Sequence, residues 1–152
     1  MTAVLTACSG FLLAVLWMDL IFDVQVLRHR RAGQALPQTV LSSITGYYHR
    51  ATTTSRPMSH LIVVVMLVLL GALAIAIAGG HRSGWLSTFW AVLAVIPIGL
   101  AVRTVRDAVR LGARTDDVLE QSRLARSVCR DHIVCFACMA FFLGVTLLVA
   151  QA

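Results

Sequence analysis

Lysine is absent from this chain of 152 residues, and charge of either sign is scarce: 13% of the residues are charged, against 59% that are apolar. Four windows hold no charged residue at all: Met1–Met18, Leu61–Gly80, Ser83–Val102 and Ile133–Ala152, together about half the chain. Each approaches or reaches the ~20 residues an α-helix needs to cross a bilayer. That pattern excludes a soluble enzyme, a disordered tail, a β-barrel and a disulfide-stapled secreted domain. A nucleotide-binding loop, a catalytic-serine motif and a dense metal motif are also missing.

What is present is arginine, thirteen in all, and its placement is more informative than its number. Five (Arg28, Arg30, Arg31, Arg50, Arg56) lie between the first and second windows. Seven (Arg103, Arg106, Arg110, Arg114, Arg123, Arg126, Arg130) lie between the third and fourth, and Arg82 alone sits in the short link between windows two and three. Positive residues near membrane ends stay on the cytosolic side. Loops 27–57 and 103–132 are therefore expected in the cytosol and both termini outside, in a multi-pass protein of the cell membrane, in a bacterium the inner membrane. The basic loops read as topology signals that meet anionic lipid headgroups, not as a nucleic-acid surface.

Met1 opens directly into an apolar run with the basic cluster after it, the pattern of a retained first helix rather than a cleaved signal peptide. Leu5-Thr6-Ala7-Cys8 has the form of a lipoprotein cleavage box, but too few residues precede the cysteine for such a signal. The fold expected is all-α: one antiparallel four-helix transmembrane bundle over residues 1–152, with helices at about 3–26, 58–78, 85–111 and 116–150. Pro37 suits a helix start. Val40, Leu41, Ile44, Tyr47 and Tyr48 then form one apolar face, so a short interfacial helix is expected at about 37–49 in the first cytosolic loop, its tyrosines at headgroup level. Gly79–Gly84 reads as a tight outer turn with Trp85 and Trp90 as an aromatic belt. Gly112 reads as the stop of the third membrane helix, and Thr115 or Asp116 as the cap of the fourth.

The ionisable residues inside or beside the apolar windows are functional candidates by default, because burying charge in a membrane is costly. Asp19 and Asp23 lie one turn apart on one helical face. His49, Arg50, His60, Arg103, Arg106, Asp107, Arg110, Arg130, Asp131 and His132 gather at the same side of the membrane. Asp19 is expected within reach of Arg103, Arg106 or His132. It is a structural ion pair, a catalytic or ligand-binding carboxylate, or a group snorkelling to water. Candidate catalytic residues are Asp19, His49 and His132; candidate substrate-binding residues are Tyr48, Arg103 and Arg106; Asp23 and Arg130 are candidates for structural ion pairs.

At 100° per residue Leu124, Val128, His132, Cys135 and Met139 share one stripe, opposite Arg123, Arg126 and Arg130. His132 is thus expected to point into the bundle, either as a hydrogen-bonded packing histidine or, with Cys135 and Met139, as part of a copper or haem-iron ligand set. His49, His60 or Asp19 would be the further ligands. No cofactor is specified. Cys135-Phe136-Ala137-Cys138 is a C-x-x-C pair like that of the vitamin K epoxide reductase family, but residues 24–57 lack the second pair found there. With Cys129 the two precess around the helix, which suits small packing residues better than redox chemistry.

Size, topology and the run Tyr48-His49-Arg50-Ala51…Arg56-Pro57-Met58 before the second membrane helix resemble the anthrone-oxygenase-like family of small membrane proteins. The Trp-flanked third helix and a histidine near the fourth add to the likeness. The resemblance implies a polar site containing Arg130 and His132. Family members often carry an asparagine where this chain has Arg103-Thr104-Val105-Arg106, and the Asp19/Asp23 pair has no counterpart. Three functions remain open. One is an oxidoreductase or oxygenase acting on a lipophilic aromatic or quinone near Asp19, His49 and His132. The others are a non-catalytic subunit or scaffold, and a small oligomeric transporter using Asp19. The expected partners are the bilayer, anionic headgroups, and a second copy or a partner subunit.

Overall fold

The computed structural model describes residues 1–29, 33–54, 56–79 and 84–151. Most of the expected outer turn, including His81 and Arg82, lies outside the described residues, as do Arg30 and Arg31. Every secondary-structure element among the described residues is a helix. α1 spans Thr2–Asp23 and tightens into a 3-10 stretch, Val24–Arg28; α2 spans Gln38–Thr53, α3 Arg56–Ala78, α4 Gly84–Ala113 and α5 Val118–Gln151. Four segments are long and apolar enough to cross a membrane, Thr2–Arg28, Pro57–Ala78, Ser87–Ala113 and Val118–Gln151, which fits a polytopic membrane protein built as a four-helix bundle.

α5 is the central element and packs along both α1 and α4, while α3 leans mainly on α1. Two apolar cores lie along its length. Leu5, Cys8 and Leu12 of α1 meet Leu69 and Leu73 of α3, Trp90 and Ala94 of α4, and Met139 and Phe142 of α5. Towards the other end Val26 joins Leu41, Ile44 and Tyr48 of α2, Ala108 and Leu111 of α4, and Leu124, Val128 and Cys129 of α5. The start of α1 and the start of α4 therefore pack on the end of α5, which makes both antiparallel to it. The buried stripe expected on α5 is observed: Leu124, Val128, His132, Cys135 and Met139 are all buried, whereas Arg123 and Arg130 are exposed.

Several local details depart from expectation for identifiable reasons. Pro37 precedes the helix rather than opening it: its extended ψ of 141° hands the carbonyl to Leu41 N at 3.0 Å. Asp117, not Thr115 or Asp116, caps α5, its Oδ1 accepting from Glu120 N at 2.8 Å. α4 continues through Gly112 to Ala113 and ends at Arg114, whose φ of 57° is a left-handed C-terminal turn. Gly112 has a different use. A Cβ there would lie 2.9 Å from Tyr48 C and His49 N, so only glycine lets the α2 backbone cross α4 this closely. Trp85 is 73% exposed as an aromatic-belt residue would be, but Trp90 is buried in the core against Phe142, ring centroids 5.9 Å apart.

Candidate functional site

Between the two cores lies a layer of polar side chains. Asp19 and Asp23 project from the last turns of α1, Tyr47 and Tyr48 from α2, and His132 from α5. Tyr48 is buried within the protein, and its hydroxyl has a carboxylate to reach: it donates to both Asp23 oxygens, at 2.8 and 2.9 Å. Tyr47 donates to Asp19 Oδ1 at 2.5 Å and stacks on Phe22. Burial first, and then the Asp19 and Asp23 carboxylates, push both phenols well above their ordinary range, so both remain hydrogen-bond donors.

His132 joins the two aspartates. Its Nδ1 lies 2.6 Å from Asp23 Oδ2 and 3.4 Å from the Tyr48 hydroxyl. Since a carboxylate only accepts, Nδ1 carries the proton and donates it to Asp23. The other ring nitrogen, Nε2, faces Asp19 Oδ2 at 3.9 Å, beyond direct hydrogen-bond reach.

His132 and Asp19 line a cavity of about 170 Å³ between α1, α3, α4 and α5. Apart from Asp19, His132 and Thr104 its walls are apolar or sulfur-bearing, among them Leu16, Met66, Pro97 and Met139. An apolar cavity of about 150 Å³ accepts a benzene ring. α3 and α4 pack only lightly on each other here. Val105, on the cavity wall, is 61% exposed, so the space opens sideways between them.

A second buried carboxylate lies one residue away on α5. Asp131 is 2% exposed; it accepts from Thr104 Oγ1 at 3.3 Å and from Arg130 at 3.2 Å, and pairs with Arg103 Nε at 3.7 Å. Arg103 also donates to Ser127 Oγ at 2.6 Å.

Of the residues singled out from sequence, the structure brings together Asp19, Asp23, Tyr48 and His132, with Cys135 and Met139 on the cavity wall. Tyr48 stands behind Asp23 and does not line the cavity. His49 is elsewhere: its Nδ1 lies 3.1 Å from the Gly112 carbonyl, tying α2 to α4. Arg103 and Arg106 line a separate groove on the outside of α4 and α5, and His60 is exposed at the start of α3. Asp23 pairs with a histidine rather than an arginine, and Arg130 pairs with Asp131.

The four cysteines are free thiols, and Cys135 Sγ points at the Pro97 carbonyl at 3.9 Å. Among the described residues no group of three or more His, Cys, Asp or Glu side chains is placed to hold a metal ion. Sequence reasoning does not single out Tyr47 or Thr104 as site residues and gives Asp131 no role beyond its place among the ionisable residues at the inner membrane face; the signal available for Tyr47 is a hydroxyl on an amphipathic helix facing two unpaired aspartates. No known protein family, curated protein or solved structure matches the chain.

Proposed function

We propose that the chain is a membrane-embedded oxidoreductase that removes a proton from a lipophilic aromatic substrate, a phenol or a quinone-type carbon acid, as the first step of its oxidation by dioxygen. The observation that carries this reading is His132: Asp23 orders the ring through Nδ1, and the ring lines an apolar cavity with room for one ring of a larger fused-ring substrate. Imidazole is the side chain whose ordinary pKa lies near neutrality, and an ordered imidazole is an effective general base. In this reading Nε2 takes the acidic O–H or C–H proton, and Asp23 and Asp19 on either side of the ring stabilise the imidazolium. The electron-rich anion left in the cavity is the species dioxygen oxidises. Substrate enters from the bilayer between α3 and α4.

The resemblance to the anthrone-oxygenase-like proteins supports the substrate class. The arginine distribution supports a cytosolic polar end and external termini, with α2 at the inner membrane surface. The test uses protein reconstituted in liposomes with anthrone as the probe and dioxygen uptake as the readout. His132→Gln should slow uptake by about 10²–10⁴-fold, the usual worth of a general base. Wild-type protein that oxidises anthrone no faster than empty liposomes would sink the oxidoreductase reading and leave a scaffold or an oligomeric transporter using Asp19.

A further inference from the structure

The outside of α4 carries an arginine with no counter-charge among the described residues. Arg103, Arg110 and Arg123 are each engaged: with Ser127, Asp107 and Asp131, with Asp116 and Glu120, and with Glu120 respectively. Arg106 is exposed and makes no hydrogen bond or ion pair among the described residues. It lies towards the end of a helix long and apolar enough to cross a membrane, Ser87–Ala113, four residues past the charge-free window that ends at Val102. Its neighbours one turn away on the same helical face are Arg103 and Arg110, already engaged, and the outward-facing Val102 and Val109, 77% and 48% exposed. A guanidinium flanked above and below by outward-facing valines requires an anion from its surroundings, because an isolated charge at the edge of hydrocarbon is costly.

We propose that Arg106 binds the phosphate of an anionic phospholipid in the groove between α4 and α5. Arg103, Arg106, Arg110 and Arg123 line that groove, and the carboxylate lining it, Asp107, is turned to the Ser127 hydroxyl and Arg103. The groove continues past Val102 to Gly99, one turn further from the arginines' end of α4. A ligand lying along it therefore meets positive charge at one end and bare apolar surface at the other. That is the profile of a lipid headgroup with its acyl chain, and a free phosphate ion matches only half of it. The site is distinct from the His132 cavity and independent of the proposed chemistry.

Native mass spectrometry of the protein released from detergent, with phosphatidylglycerol and phosphatidylcholine offered in equal amounts, tests this. Wild type should retain phosphatidylglycerol in preference, and Arg106→Gln should weaken that retention about fivefold or more, the usual worth of one arginine at an anionic surface. Arg28→Gln, which removes the same charge at the end of the first membrane segment, should leave retention unchanged. Equal losses in the two variants would mean that only net charge matters and would overturn the site. Displacement of the lipid by millimolar inorganic phosphate would overturn the assignment to a lipid.

Discussion

Asp23 and Asp131 are both withdrawn from solvent, 1% and 2% exposed, and both lie against the middle of α5, yet their surroundings differ in kind. Asp131 faces the outside of the α4–α5 contact, where Arg103 and Arg130 supply cations that no physiological pH removes. Asp23 faces inward and is held by a phenol and an imidazole. The first arrangement locks two helices with fixed charge. The second keeps a carboxylate in place while leaving a proton free to be relocated on its partner, and that partner, His132, lines the apolar cavity. Burial of a carboxylate by itself therefore does not mark a reactive site; the chemistry of the group that satisfies it does.

The most demanding test of that contrast is Asp23→Asn against Asp131→Ala. The first substitution keeps the shape and an oxygen for Tyr48 but not the charge opposite His132, so anthrone-dependent dioxygen uptake should fall by about 10²-fold or more while the protein stays folded. Asp131→Ala should do the reverse. It removes the carboxylate that ties the exposed Arg103 and Arg130 to Thr104, and thermal unfolding in detergent should report a loss of about 1.5–3 kcal/mol with activity per folded molecule intact. If both variants lose activity and stability together, the two sites are one structural unit and the contrast fails.

A smaller effect isolates the support behind Asp23. Gly112→Ala pushes the α2 backbone off α4 at Tyr48 and His49 and should destabilise by about 1–3 kcal/mol, as overpacking does. A silent Gly112→Ala variant would show that α2 is not pressed on α4 and that Tyr48 is positioned by some other contact. The gentlest probe is alkaline pH. Both phenols are held above their ordinary range, so the folded chain keeps protons that unfolded tyrosines release near pH ~10. Stability should therefore be complete below that pH and fall as pH rises through and beyond it. The melting temperature between pH ~8 and ~11 should flatten in the Tyr47→Phe, Tyr48→Phe double variant; an equally steep fall would place the titration elsewhere.

Much of this is legible in the residues. The four charge-free windows mark the four membrane-spanning helices. The period of α5 brings His132, Cys135 and Met139 to one inward face because a long helix leaves its apolar stripe little freedom. Asp19 and Asp23 stand out as charges at membrane depth. What the residues do not reveal is which neighbour each polar group meets. Tyr47 and Tyr48 read as rings on an amphipathic face, and only the crossing at Gly112 shows that Tyr48 is pressed onto a buried carboxylate. Arg103 and Arg106 share the end of α4 with Thr104 and Val105, and a rotation of about 100° per residue separates cavity wall from outer groove. Which side faces inward depends on α5 packing, so arginines expected in the substrate site lie outside it. Trp90 reads as a belt residue in sequence because belt and core positions at a helix end differ only by such a rotation.

The length of α3 also sets the bilayer in which this protein is comfortable. From Pro57 to Ala78 the helix rises about 32 Å, close to the ~30 Å of typical hydrocarbon. A thicker, sterol-like or long-chain bilayer would draw the Asp19–His132 layer into oil, and the chain would answer by tilting or by thinning the lipid around it. Acyl-chain length is thus a dial on the polarity of the site, adjustable without touching a single residue.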